Sequence, residues 1–473
     1  MAAGTDLALT GTANVSGMIA ISSETIHIRH GLVLSSTRHL DWIGTGTTVA
    51  AHDSFRVAGM RARAWYFTGP PLPRLSPASG GRKFSFASPP NRLRAMKLLF
   101  TNFHAGDGGG HTTYILGLAR GLAPRHAVFV AAPPGSRLHR EAGTIAGVTV
   151  IDQPFPNGFR RLAARRRARR HLIDAMRRER FDVVHVNGSA DHRLSMSARR
   201  ASGTRPPIVL TKHNSKPMTG PGHWWRSRFG TDAVIAVCEY VRRQVMASPY
   251  ARCRVATVFN GVDIDHFAPR SADPASRAAW LAPDAATKPL LIGSNAGTAR
   301  YKGWMDLLEA LATLDGADRE RFRVVLAGGM PAKDDLARVE ALGIASQVHF
   351  TGRLGDVRPM VAALDAGFVM SWDVETISFA CREMMAMGKP VLVTDYAGLP
   401  ENIVAGQDGW VVKARDRDAI ADALRGLLAQ RSALADMGEA ARRHAVADFG
   451  MARFVDATDA VYASLLRDFS SKA

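Results

Sequence analysis

Cysteine is scarce in this chain of 473 residues: only Cys238, Cys253 and Cys381 are present. Their spacing matches no metal-binding pattern, and an odd number forms no complete disulfide set. Reduced, buried thiols are the expectation, and with them a cytoplasmic setting. Long apolar runs are also missing. No uninterrupted stretch approaches the roughly 18 residues that a membrane-spanning helix needs. The N-terminus has no basic stretch followed by an apolar one, so it does not read as a signal peptide. Positive charge, by contrast, is plentiful. Lys and Arg number 61 against 42 Asp and Glu, a formal charge of +19. Such an excess suits nucleic acid, an anionic membrane or an acidic substrate, and its location decides among them.

Regular periodicity is absent from residues 1–95. The stretch Gly69-Pro70-Pro71-Leu72-Pro73-Arg74-Leu75-Ser76-Pro77 breaks any element, and Ser, Gly and Pro clusters continue to Pro90. This segment is expected to be a disordered tail, or upstream sequence ahead of a biological start at Met96. Ordered structure begins with Lys97-Leu98-Leu99-Phe100-Thr101-Asn102, which reads as a buried strand.

From Met96 onward, short apolar runs alternate with helical stretches. The runs are Ala127–Ala132, Val148–Ile151, Val183–Val186, Ile208–Leu210 and Ala233–Val237. After a break they resume at Leu290–Gly293, Val324–Ala327, Val348–Phe350, Gly367–Met370 and Pro390–Thr394. Continuous apolar runs suit parallel strands covered by helices on both faces. Two such series predict two doubly wound α/β domains, over 96–268 and 285–451. The break falls at Asn260-Gly261-Val262-Asp263, a turn signal, followed by an Ala-, Asp- and Pro-rich connection over 270–288. Ligands are expected in the cleft at the C-terminal ends of the strands.

Two stretches carry chemistry. Gly106-Asp107-Gly108-Gly109-Gly110-His111 follows the first strand and precedes a helix over Thr112–Leu122. Its glycines allow close backbone approach, and the helix N-terminus offers free N–H groups to an anion. A tight turn with no ligand fits the same residues. The second stretch, Glu375-Thr376-Ile377-Ser378-Phe379-Ala380-Cys381-Arg382-Glu383, places two glutamates eight apart at the end of a strand. A carboxylate there can accept two hydrogen bonds from a ribose diol. A solvated charge on a helix face is the plainer alternative. Two Asp-x-Asp triplets, Asp263–Asp265 and Asp416–Asp418, read as a linker turn and a helix N-cap rather than as metal sites.

The continuation changes the weight of the second stretch. Glu383-Met384-Met385-Ala386-Met387-Gly388-Lys389-Pro390-Val391-Leu392-Val393-Thr394, then Ala397-Gly398-Leu399-Pro400-Glu401, resembles the donor-binding region of glycosyltransferase family four. Gly109-Gly110 with Leu118–Leu122, the linker Asn260–Asp263, and Lys302-Gly303 resemble further landmarks of that family, so the resemblance spans Met96–Phe469. It implies a GT-B fold: two Rossmann-like doubly wound domains facing a cleft, with a C-terminal helix, about 452–473, crossing back to the first domain. It implies a retaining, metal-independent glycosyltransferase that needs no cofactor and takes a nucleotide-sugar donor as substrate.

The resemblance also implies roles. Glu383 would bind the donor ribose, and Glu375 would face the transferred sugar and the leaving group. Thr376, Ile377, Ser378 and Phe379 would offer backbone N–H groups. Lys302 would neutralise the diphosphate, with Gly109 and Gly110 closing over it. His213 falls where the family often places a His near the sugar, although a lone His more often serves the core. The family's usual Arg five residues before the Lys is replaced by Gly297, and Arg300 is the candidate to supply that charge. The usual Gly-Gly turn is Ala397-Gly398. The implied acceptor is an envelope polysaccharide, a lipopolysaccharide or a lipid-linked glycan. A nucleotide-sugar epimerase and a non-catalytic binding protein are the alternatives.

The positive charge concentrates between Arg160 and Arg180, which hold ten arginines interleaved with Leu162, Leu172, Ile173 and Met176. Basic helices with apolar anchors lie on anionic membranes. Peripheral attachment to the inner face of the cytoplasmic membrane is therefore expected, with Trp224-Trp225-Arg226-Ser227-Arg228-Phe229 as a second such stretch. Nucleic acid ranks lower, because no aromatics interleave with the basic run.

Overall fold

The computed structural model describes residues 95–107, 109–158, 161–281 and 288–470, together with four short strands nearer the N-terminus. Those four form two antiparallel pairs: β1 (Met18–Ile21) with β2 (Glu24–His27), and β3 (His52–Val57) with β4 (Met60–Trp65). The sequence of residues 1–95 shows no sustained period, and these strands do not depend on one. Runs of four to six residues are too short to show a period within a Ser-, Gly- and Pro-rich stretch. The rest of that N-terminal segment lies outside the described residues.

The main body holds two parallel sheets. The first comprises β5 (Lys97–Thr101), β6 (Ala127–Ala132), β7 (Val148–Asp152), β8 (Val183–Val186), β9 (Ile208–Lys212), β10 (Ala233–Ala236) and β11 (Arg254–Thr257). Their order is β11-β10-β9-β8-β5-β6-β7. The second comprises β12 (Leu290–Ser294), β13 (Phe322–Ala327), β14 (Val348–Gly352), β15 (Ala366–Val369), β16 (Val391–Thr394) and β17 (Gly409–Val412), ordered β14-β13-β12-β15-β16-β17. Each order reverses direction beside its first strand, the doubly wound arrangement that opens a crevice at the strand ends. The inner strands are buried along their whole length, as β8, β10, β12 and β16 show. That is why they read as unbroken apolar runs. The edge strands β11 and β17 escaped sequence reading because each is only four residues long and only partly covered.

Both Asp-x-Asp triplets have structural work. Asp416 accepts from the Ala419 amide at the start of the helix Arg417–Ala429, and Asp263 accepts from the amides of Asp265 and His266. The closing helix Met451–Ser470 returns to the first domain, as expected. Its Phe454, Val455, Tyr462 and Leu465 are buried in that domain's core. Asp456 pairs with Arg125 at 2.8 Å, and Asp459 meets His126 at 3.0 Å. Between the lobes, the fully buried Arg382 donates to Asn402 and to the carbonyl of Asn260, and lies 3.9 Å over the Phe449 ring. It thereby fixes the helix Phe379–Ala386 to the linker.

The arginine-rich segment is the helix Leu162–Glu179, packed against the helix Ser189–Ser202. Here the structure corrects the sequence reading. Leu172, Ile173 and Met176 belong to the domain core, so they are not membrane anchors. Of the four interleaved apolar residues only Leu162 is exposed. A stripe of apolar residues at helical spacing packs on whatever lies beneath it, and here that is the core of the first domain.

Candidate functional site

Segments at the C-terminal ends of the two sheets meet. The Thr376 hydroxyl donates to the carbonyl of His213 at 2.9 Å. The Tyr396 and Ser215 hydroxyls lie 2.9 Å apart. Glu401 accepts from the amides of Glu239 and Tyr240, at 2.7 and 2.6 Å, at the N-terminus of the helix Glu239–Met246. The loop after β15 therefore lies against the segment that follows β9.

That loop carries the second glutamate stretch. Two residues that are not glycine, Val374 and Ser378, take positive φ there, at 57° and 47°. For a β-branched Val this is a strained conformation, of the sort that collects at binding sites. Ile377 is buried in the core of the opposite domain. A Cβ on Gly110 would lie 3.6 Å from the Phe379 ring, so the glycine-loop helix Gly110–Leu122 and the helix Phe379–Ala386 touch across the cleft. The amides of Ile377, Ser378 and Phe379 donate to no acceptor among the described residues. They are free for an anion or a sugar oxygen.

Lys302 and Glu375 form an ion pair at 2.5 Å, with both side chains largely buried. Ser371 lies 3.5 Å from the same carboxylate oxygen. Lys302 ends the turn Arg300–Lys302, and Gly303 continues it with φ at 68°. A Cβ at Gly303 would stand 1.9 Å from the Met370 carbonyl oxygen, so only glycine lets these chains pass. Glu383 accepts from Asn295 Nδ2 at 2.6 Å. Burial, opposed by that bond, pushes its carboxyl up to about 7.

Arg300 does not join this group. Its guanidinium is held by Asp335 at 2.7 Å, on the first turn of the helix Lys333–Ala341. The charge expected in place of the missing arginine is thus committed elsewhere. Gly109 stands at the start of the first helix with nothing within 4 Å of a Cβ placed on it.

His213 lies in an aromatic cluster. Its ring stacks on His111 at 4.1 Å and meets Tyr114 edge-on at 4.6 Å. His104 meets His111 at 5.0 Å. Burial, then the neighbouring His111, His185, His104 and Lys212, holds the proton affinity of His213 well below the ordinary imidazole value. It is a neutral ring at physiological pH.

Several residues at this site escaped sequence reading. Asn295, Asn187 and Tyr396 are single polar residues after buried strands. That position was the only signal available for them. Glu401 was read as part of a turn motif and given no role.

On the outer side of the first domain, Arg165, Arg166, Arg169 and Arg193 line a groove of about 200 Å³ with Leu162 and Asn157. Arg169 and Arg177 are partly consumed in packing, donating to Ser197 and to the carbonyls of Ala201 and Ser202. Trp224, Trp225 and Phe229 are exposed on the helix Pro221–Phe229, with ring centroids 4.4 Å apart for Trp225 and Phe229. Arg160 lies outside the described residues. No helix among the described residues is long and apolar enough to cross a membrane.

Two family models match the chain: Glycosyltransferase Family 4 over residues 108–266, and Glycosyl transferases group 1 over residues 288–430. The chain is 28% identical to D-inositol 3-phosphate glycosyltransferase 2 of Catenulispora acidiphila, covering 80% of this chain and 96% of that protein. It is also 28% identical to a GDP-mannose-dependent alpha-(1-6)-phosphatidylinositol monomannoside mannosyltransferase of Mycolicibacterium smegmatis, covering 74% of this chain and 93% of the other. Among solved structures, a glycosyltransferase from Rickettsia africae superposes with a TM-score of 0.69 at 18% identity, over 79% of this chain and 99% of its own. With matched segments in both lobes, two Rossmann-like sheets and a returning helix, the chain belongs to glycosyltransferase family four and is a sugar-transferring enzyme of the GT-B fold.

Proposed function

We propose that the protein transfers a sugar from a nucleotide diphosphate donor, with retention at the anomeric carbon and without a metal, to a phosphate-bearing, lipid-linked acceptor. The observation that carries the donor half is the Lys302–Glu375 pair, set beside three backbone amides that have no acceptor among the described residues. In this reading the bond between the anomeric carbon and the leaving phosphate breaks. The acceptor oxygen bonds to that carbon from the same face, and its proton passes to a phosphate oxygen. Lys302 and the amides of 377–379 hold the charge that develops on the departing diphosphate, in a cleft where water screens it little. Glu383 accepts from the ribose diol. Glu375, released from Lys302, faces the sugar.

The acceptor half rests on two of the relatives, whose names specify an inositol phosphate and a phosphatidylinositol mannoside. They favour a phosphorylated polyol or its lipid over a lipopolysaccharide. The four-arginine groove and the exposed Trp224, Trp225 and Phe229 suit an anionic membrane surface on the cytoplasmic side.

A thermal-shift panel of UDP, GDP, ADP and CMP, with and without Mg²⁺, tests the donor half. One nucleotide is expected to raise the melting point without metal. Stabilisation that needs Mg²⁺, or none at all, would overturn it. Flotation with anionic vesicles tests the membrane half, which fails if no protein floats at low salt.

A further inference from the structure

His213 is positioned by a chain of buried groups that the family resemblance did not flag. Asn187 follows β8 and is buried. Its Nδ2 donates to the carbonyl of Thr101 at 3.1 Å, with the carbonyl of His185 at 3.5 Å. Its backbone amide donates to Asp191 Oδ2 at 2.7 Å. The same oxygen accepts from the Gly188 amide at 3.2 Å and from the Thr101 hydroxyl at 3.0 Å. Asp191 is itself fully buried, so it clamps the turn after β8 against the end of β5.

These contacts decide which way the Asn187 amide faces. Turned over, its oxygen would confront two carbonyl oxygens, and its NH₂ would face the imidazole. The observed orientation leaves Oδ1 toward His213 Nε2, at 2.9 Å. Oδ1 can only accept, so Nε2 must carry the hydrogen. In a neutral ring Nδ1 is then a bare lone pair, and it has no hydrogen-bond partner among the described residues.

We infer that Asn187 is the positioning residue that fixes His213 as the Nε2–H tautomer, so that His213 presents Nδ1 as an acceptor for a hydroxyl of the transferred sugar. A lone pair attracts an O–H group and repels phosphate oxygens. The histidine therefore discriminates between the two ends of the donor, taking the hexose and leaving the diphosphate to Lys302. Asp191 acts through Asn187 in the same way. This inference rests on the reading of the cleft as a nucleotide-sugar site.

The test is long-range ¹⁵N–¹H spectroscopy of the full chain carrying ¹⁵N-histidine, with the His213 signals identified by their loss in His213→Gln. At pH 7 the wild type is expected to show a protonated Nε2 and a bare Nδ1. In Asn187→Leu the Nε2 proton should exchange with solvent at least about tenfold faster, and the tautomers should move toward the mixture of a free imidazole. A wild-type ring protonated on Nδ1, or an exchange rate unmoved by the leucine, overturns the inference. If the leucine variant does not fold, the wild-type spectrum alone still decides the tautomer. UDP-glucose and GDP-mannose are then added beside bare UDP and GDP. A shift of Nδ1 with a sugar nucleotide, absent with its bare nucleotide, supports the hydroxyl contact. A correct tautomer that no sugar nucleotide perturbs removes His213 from the sugar site while leaving the role of Asn187 in the ring's orientation intact.

Discussion

The Lys302 ammonium lies 2.5 Å from the Glu375 carboxylate, and fewer than a fifth of either side chain is exposed. The residue that would hold the donor diphosphate is thus already neutralised by the residue that would face the sugar. Binding a diphosphate requires Lys302 to exchange one anion for another. Glu375→Gln frees the ammonium. The variant is expected to bind the cognate nucleoside diphosphate about three- to tenfold more tightly, while sugar transfer falls at least about a hundredfold. Lys302→Met should weaken the same binding by about tenfold or more. Calorimetric titration and a product assay measure both. Unchanged affinity in both variants would remove the pair from the diphosphate site.

Glu383 sets a pH dependence of unusual sign. Burial raises its carboxyl to about 7, so the folded chain favours the protonated form. The stability it contributes is present at low pH and is lost as pH rises from the ordinary carboxylate range through 7. Glu383→Gln lacks this slope. Relative to wild type it should gain stability between pH 5 and pH 8, by up to about 3 kcal/mol, measured as denaturation midpoints across that range. A ribose diol needs the ionised carboxylate, so nucleotide affinity of the wild type should rise about tenfold from pH 6 to pH 8. In Glu383→Gln it should be flat. Parallel pH profiles for the two proteins would show that Glu383 does not titrate there.

The turn Ala397-Gly398 tests the cost of a departure from the family pattern. Ala397 sits at φ 53°, in the left-handed region where a Cβ is strained. Ala397→Gly is expected to stabilise the chain by about 0.5–1 kcal/mol, net of the extra freedom of glycine in the unfolded state. Gly303→Ala should do the opposite, costing more than about 2 kcal/mol, because its Cβ would overlap the Met370 carbonyl. Urea denaturation of the two variants gives both signs.

Glu401 latches the lobes. Its carboxylate accepts from two successive amides of the other domain, where a helix N-terminus favours negative charge. Glu401→Ala should lower stability by about 1–2 kcal/mol and speed hydrogen exchange at Glu239 and Tyr240. It should also widen the cleft, read as a larger radius of gyration in solution scattering. Unchanged exchange at those two amides would show that the latch is open in solution.

The cleft itself was legible in the sequence because burial on both faces leaves unbroken apolar strands, and because the Glu375–Glu401 stretch is long and ordered. The arginine helix was half legible. Its charge is on the surface as expected, but the stripe of Leu172, Ile173 and Met176 packs inward. Periodicity tells which residues share a face, not what covers that face. Arg300 was misplaced for a related reason. Two residues of separation from Lys302 put both on one short turn, yet the guanidinium reaches Asp335 on a different helix.

By itself the sequence determined the alternation of strands and helices, the division into two sheets and the residue types at the strand ends of the second sheet. These follow from local pattern: apolar runs, glycines and spaced carboxylates. Only the tertiary structure decided which groups touch. The pairing of Lys302 with Glu375, the clamp of Asp191 and Asn187 on His213 and the grip of Glu401 on the opposite domain join residues 73, 26 and about 160 positions apart. A hydrogen bond is set by distance and direction in space, and a single polar residue carries no period that announces its partner.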